Sequence, residues 1–323
     1  MLALESYFSG DQSTAYNSFK EAMLVIDPEL KNLVLEFEET EFFRARVNNE
    51  SAEDFSKEQM FHIPFQLRTK VTTQRYSFPG LPCLYLGASP YVCWLEMNRP
   101  SYDSLNVARI EKVSNKNIKV LDLNRTPTSI KAEYTNNSND EFIINYLKIW
   151  PLIAVCSICV FDEVGSFKPE YIIPQMLLQW LITEDNTSRM SYNVRGIKYF
   201  SVKSNSEGRT TNQLRLNYPR MYTNYVFPIK KSKRSGLCSD LQNLFNISSS
   251  ISGRTLQLVI PQRGIGLFTG TKQPEENMDL EKIVLHDGRT TLYSQSAFYW
   301  FEKVLREPSQ ITVMDGDVFL KYT

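Results

Sequence analysis

Residues 71–100 read VTTQRYSFPGLPCLYLGASPYVCWLEMNRP, and the glycines and prolines in them mark out local structure. Pro79-Gly80 fits the two central positions of a type II turn, where proline presets φ and glycine supplies the positive φ. Residues 81–87 then read as a strand closed by Gly87. Ser89 precedes Pro90: a preferred N-cap, then the residue favoured at the first helical position. A helix from Pro90 to about Asn98 follows, bounded by Pro100. The predicted layout is strand, turn, strand, cap, helix, and it gathers Arg75, Tyr85 and Glu96 in one compact unit. A tight hairpin would set Arg75 opposite Leu84, facing away from Tyr85. A bulge or loop at Arg75 removes that conflict.

Upstream, Asp11 can cap a helix whose apolar residues Ala15, Phe19, Ala22, Met23 and Ile26 recur at helical spacing, until Asp27-Pro28 stops it. The segment EFFRARV at Glu41–Val47 reads as a strand. Arg44 and Arg46 then share one face, and Phe43, Ala45 and Val47 the other. Two arginines on one face suit a diphosphate; a solvated face is the alternative. Residues 48–70 read as loop or short helix. Residues 106–113 and 118–123 read as a hairpin, 125–140 as a polar loop, and 146–161 as buried strand or helix. Residues 170–183 read as a helix. Strands are predicted at 196–202, 222–228, 255–260 and 281–285, with Ile197, Tyr199 and Ser201 on one face of the first. Residues 290–306 read as a helix and the tail as one more strand. Strands and helices interleave without a βαβ rhythm, which predicts an α+β fold on a mixed or antiparallel sheet.

Composition excludes several classes. The 323 residues carry 36 Lys plus Arg and 36 Asp plus Glu, so formal net charge is zero. No direct nucleic-acid binding is expected from that balance. The basic run Lys230, Lys231, Ser232, Lys233, Arg234 reads as a solvated linker rather than a nucleic-acid patch. No apolar run reaches the roughly 18 residues of a membrane span, and the N-terminus lacks a signal-peptide layout; a cytoplasmic protein with no membrane contact is expected. Only two histidines occur, His62 and His286, so no metal site is expected. His62 could serve a Cys or Ser nucleophile only with an elbow motif, and none accompanies it. Cys156 and Cys159 form a CxxC inside LIAVCSICVF, which reads as two small buried hydrophobes rather than a redox pair. Neither a Rossmann fingerprint nor a P-loop is present.

The stretch QRYSFPGLPCLYLGASPYVCWLEM resembles the signature block of the RES domain family, mostly bacterial toxins of toxin–antitoxin pairs. FFRARV, YIIPQMLLQWL and GIKYFS agree with it in the same order. Together these blocks span roughly residues 41–228. They suggest a helical N-terminal extension over residues 1–40, an NAD-cleaving core over 41–234, and a C-terminal extension over 235–323 packed on the core. The resemblance implies an ADP-ribosyltransferase-like α+β fold and an enzyme that destroys NAD, by hydrolysis or phosphorolysis. Such an enzyme acts as a growth-arresting toxin or phage-defence effector. NAD is then a substrate, and no cofactor is expected. The expected protein partner is a cognate antitoxin, with a homodimer also open. The family's arginine falls on Arg75, its tyrosine on Tyr85, its glutamate on Glu96 and its serine on Ser201, with Arg44 as the other arginine. Tyr76 follows Arg75 where many members have tryptophan. The alternatives are an ADP-ribosyltransferase acting on a macromolecule, or an inactive binding module.

These residue types suit the chemistry. Loss of nicotinamide leaves an oxocarbenium-like ribose, which a carboxylate at Glu96 would stabilise. A guanidinium holds a diphosphate through paired hydrogen bonds. Tyr85 offers a ring face and a hydroxyl, and Ser201 a hydroxyl for a phosphate or ribose oxygen. The plainer alternatives are a core tyrosine, a salt-bridged surface glutamate and an unremarked serine. The segment LYSQSAFYWFE at 292–302 faintly echoes LYLGASPYVCWLE at 84–96 and reads as an amphipathic core helix, not a second site.

Overall fold

The computed structural model describes residues 2–48, 54–137, 140–184, 193–203, 209–231, 233–259, 281–307, 311–314 and 317–320. In chain order its elements are α1 (Leu2–Phe8), α2 (Gln12–Val25), α3 (Asp27–Leu30), β1 (Val34–Glu36), β2 (Glu41–Val47), α4 (Lys57–Met60), β3 (Cys83–Gly87), α5 (Pro90–Glu96), β4 (Leu105–Lys112) and β5 (Lys119–Asp122). Then come α6 (Pro127–Asn137), α7 (Asp140–Cys156), α8 (Ile172–Glu184), β6 (Val194–Phe200), α9 (Arg209–Asn217), β7 (Thr223–Pro228), α10 (Ser239–Gln242) and β8 (Phe245–Ser252). The chain continues with α11 (Gly253–Val259), β9 (Lys282–Val284), β10 (Thr290–Leu292), α12 (Ala297–Arg306), β11 (Ile311–Met314) and β12 (Asp317–Leu320). None of the described helices is long and apolar enough to cross a membrane.

Eight strands form one mixed sheet in the order β1-β5-β6-β7-β3-β2-β4-β8, and this is the α+β architecture predicted. Only β5 and β6 run parallel. The centre of the sheet positions the site. β3 is paired along its length with β7, from Cys83↔Pro228 to Gly87↔Asn224. β2 is paired along its length with β4, from Glu41↔Glu111 to Val47↔Leu105. Yet β2 and β3 meet only at Phe43↔Gly87. From that bridge the two half-sheets part, and an opening lies between them.

Each half-sheet carries its own layer of helices. Helices α2, α7 and α8 cover β6 and β7 through Phe19, Ile153, Leu177, Ile197 and Val226. Helices α5 and α12 cover β2 and β4 through Tyr91, Trp94, Val107, Phe298 and Phe301. The opposite face is sealed by an aromatic cluster of Phe37, Phe42, Tyr225, Phe227 and Phe245. Burial of each such ring contributes roughly 1.5–3 kcal/mol.

Several expectations are corrected. No strand precedes the Pro79-Gly80 turn. The turn itself forms, with Gly80 at φ +83° and Leu81 N–H bonded to Phe78 O at 3.1 Å. Residues 71–80 are instead a loop whose ends join through Gly80 N–H to Val71 O, 3.1 Å. Strands β4 and β5 exist but are not partners, because β4 lies between β2 and β8 and β5 between β1 and β6. Residues 127–137 form a helix rather than a loop. Its start is fixed by reciprocal bonds between Thr126 and Ser129, each backbone N–H reaching the other's hydroxyl at 3.1 Å. Asp27-Pro28 opens the short α3 instead of simply ending a helix, and Ala22 is exposed. Residues 253–259 are helical, begun by Ser252 Oγ accepting from Thr255 N–H at 3.1 Å; Ile260 lies outside the described residues. Residues 290–306 divide into β10 and α12, and the tail contributes two strands. The serine-rich β8 was not anticipated; Ser250 and Ser252 are nonetheless buried. After α7 the chain turns outward, so Cys156 is buried, Cys159 is exposed and Phe161 is 98% exposed.

His62 is structural. It is fully buried, Nε2 accepts the Cys238 N–H at 2.7 Å, and Nδ1 donates to Ile63 O at 2.8 Å. Burial holds its pKa below the ordinary 6.5, and the Arg44 charge adds to this. The unfolded chain therefore binds the proton that the folded chain refuses. This contribution to stability is intact above pH 6.5 and is lost as pH falls below it. The slope is at most about 1.4 kcal/mol per pH unit, the limit for one proton. Chemical denaturation of wild type and His62→Gln between pH 7.5 and 5.5 should show the extra loss only in the wild type. Parallel curves would remove His62 from the pH response.

Candidate functional site

A cavity of about 380 Å³ occupies the opening between β2 and β3. That is within the size range of small-molecule sites. Side chains alternate along a strand, so the split admits residues from both sheet faces: Tyr85 and Gly87 from one, Arg44 and Leu86 from the other. Four of the five residues singled out in the sequence line it: Arg44, Arg75, Tyr85 and Glu96.

Arg44 stands where the β2–β3 ladder is missing. Its guanidinium donates to Tyr85 O at 2.7 Å, supplying to that carbonyl the bond a neighbouring strand would have made. Its Nε has no hydrogen-bond partner. Burial, with Arg46 close by, pushes its pKa down to about 10. Arg46 lines the same cavity, as the shared strand face predicted, and donates to Gln59 O at 2.6 Å.

Arg75 reaches the cavity from the 71–80 loop, so the hairpin conflict does not arise. It is 6% exposed. Its guanidinium donates to Cys156 O at 3.2 Å and lies over the Tyr171 ring at 5.0 Å, while the second terminal nitrogen has no hydrogen-bond partner. Among the described residues, neither Arg44 nor Arg75 has a carboxylate within ion-pair distance. Two guanidiniums thus line one cavity with no carboxylate in direct ion-pair contact, and each keeps a nitrogen without a hydrogen-bond partner that an anionic ligand could take.

Glu96 ends α5. Ser89 Oγ caps that helix by accepting the Val92 N–H at 3.2 Å, and positive φ at Asn98 and Arg99 stops it. Gly87 permits α5 to fold back on β3: a Cβ there would lie 2.6 Å from Val92 Cγ1 and 2.7 Å from Cys93 Sγ. Asn224 on β7, buried in the same wall, donates to Glu96 Oε1 at 2.7 Å and fixes the carboxylate. Asn224 was not foreseen; the signal was an amide directly before the apolar run YVFP, in a strand buried along its whole length.

Tyr85 is more committed than its sequence suggests. Its ring lines the cavity, but its hydroxyl accepts the Tyr76 N–H at 3.3 Å and shares a hydrogen bond with Ser77 Oγ at 3.0 Å. Burial raises its pKa well above the ordinary value, as it does for Tyr199 nearby. Cys83 and Cys93 also line the cavity and are pushed up to about 12 by burial, so both are thiols. Ser201 is not in the cavity wall. It is fully buried one residue beyond β6, and its N–H bonds to Tyr222 O at 2.8 Å. Its neighbours Tyr199 and Val202 line the cavity instead.

The chain matches no established protein-family model. By sequence it is 36% identical over 271 residues to "Putative toxin YopC" of Bacillus subtilis (strain 168), a match covering 79% of this chain and 57% of that protein. The chain therefore spans little more than half of that relative's length. Among solved structures, it is similar to a chain of the M. tuberculosis MbcT–MbcA toxin–antitoxin complex at 13% identity and a TM-score of 0.33, covering 70% of this chain and 93% of that one.

Proposed function

We propose that the protein is a toxin that consumes NAD by cleaving its nicotinamide–ribose bond, on an ADP-ribosyltransferase-like core held in check by a cognate antitoxin. The observation that carries this reading is the pair of guanidiniums Arg44 and Arg75, neither ion-paired and each with an unbonded nitrogen, lining a cavity that also holds the oriented carboxylate of Glu96. The RES resemblance and the likeness to a protein described as a toxin agree with it. In this reading the arginines take the diphosphate and Glu96 faces the ribose. The glycosidic C–N bond breaks with its electron pair going to nicotinamide, which leaves neutral. The ribosyl carbon accepts an oxygen either from water, which gives up a proton to solvent, or from phosphate, which attacks through an anionic oxygen that carries no proton.

Expression in bacteria without a partner tests this. Cellular NAD should fall and growth should stop as soluble protein accumulates. Normal growth with unchanged NAD, in cells that contain the folded protein, would overturn the proposal.

A further inference from the structure

We propose that Gln175 is a positioning residue for Arg75: its amide, opposite the Tyr85 hydroxyl, clamps the loop that carries the guanidinium. The functional meaning of the clamp rests on the reading that the cavity takes a diphosphate. The loop needs such a device, since residues 71–80 belong to no strand ladder. Their own backbone supplies two closures, Gln74 N–H to Ser77 O at 2.8 Å and Gly80 N–H to Val71 O at 3.1 Å.

The Gln175 Nε2 lies 3.0 Å from Thr73 Oγ1, 2.9 Å from Gln74 O and 3.3 Å from Ser77 O. Two of these are carbonyls, which only accept, so the nitrogen end of the amide must face the loop. Its two hydrogens are shared among three acceptors. From the other side, Tyr85 holds Tyr76 N–H and Ser77 Oγ. Thr73, Gln74, Tyr76 and Ser77 are thereby fixed, and Arg75 is the residue between them that projects into the cavity. Tyr171, whose ring lies under the guanidinium, ends the 3-10 turn Pro169–Tyr171 that leads directly into α8, the helix that carries Gln175. The entry to α8 thus supports both the charge, through Tyr171, and the loop, through Gln175. Hydrogen bonds of this kind determine geometry more than they add stability, because water replaces them when the loop opens.

The test uses the full chain and the variants Gln175→Leu, Arg75→Ala and the double variant, with Gln175→Met in place of Leu if leucine unfolds α8. Amide hydrogen exchange at Gln74 and Tyr76 reads the clamp without any ligand, and calorimetric titration with ADP-ribose reads its effect. Faster exchange confined to this loop is expected in Gln175→Leu, with ADP-ribose bound about tenfold more weakly. The double variant should bind no more weakly than Arg75→Ala alone, since a residue acting through Arg75 has nothing left to position. Unchanged exchange overturns the clamp whatever the ligand does. Additive losses in the double variant overturn its action through Arg75. If the wild type binds no ADP-ribose, the diphosphate reading of the cavity fails, and exchange alone decides the clamp.

Discussion

Glu96→Gln is expected to release nicotinamide from NAD about 100 to 1000 times more slowly than the wild type, which is the usual worth of a preorganised charge at a developing one. Its melting temperature should barely move. Glutamine keeps the size of glutamate, and its Oε1 can still accept the Asn224 amide now held at 2.7 Å. The α5 cap at Ser89 and the packing of Tyr91 and Trp94 are untouched. Such a change at a partly exposed helix end alters stability by about 0.5 kcal/mol or less. What is lost is the negative charge that, in the proposed reaction, faces the oxocarbenium. The loss should fall on kcat, with NAD affinity near normal because both arginines remain. In cells the variant should accumulate as the wild type does and no longer stop growth. Near-normal turnover would take Glu96 out of the chemistry, and unfolding would make it a structural residue.

Arg75→Lys should lower kcat/KM by about ten- to a hundredfold, the effect of losing a charge-assisted contact worth roughly 1.5–3 kcal/mol. An ammonium keeps the charge but not the fork. It cannot hold Cys156 O, lie flat on Tyr171 and still offer the second terminal nitrogen to a ligand. Arg44→Lys should be milder, because an ammonium can still donate to Tyr85 O in the gap between the half-sheets. Steady-state kinetics of the two variants decide the assignment. A larger loss at position 44 would make Arg44 the principal phosphate contact.

Where local signals carry their own geometry, the sequence was legible. Ser89-Pro90 set the start of α5, Pro79-Gly80 set a turn, and alternation in EFFRARV placed Arg44 and Arg46 on a shared face. Pairing was not legible, because partners are chosen by tertiary packing. The turn between β4 and β5 looks the same whether they pair or diverge. The split between β2 and β3 leaves no mark in either strand, yet it creates the cavity. Residues that orient others were also missed. Asn224 and Gln175 have roles only because Glu96 and the Arg75 loop lie against them. Ser201 was placed by strand alternation alone: β6 ends at Phe200, and the serine is fully buried and does not line the cavity, whereas Tyr199 and Val202 do.

The most direct measurement is a time course of free nicotinamide from NAD with purified, inhibitor-free wild-type protein, in buffer with and without phosphate. The account predicts that nicotinamide accumulates with ADP-ribose, or its phosphorylated form when phosphate is present, free in solution. No release by protein that melts cooperatively, or ADP-ribose recovered attached to a macromolecule, would contradict it.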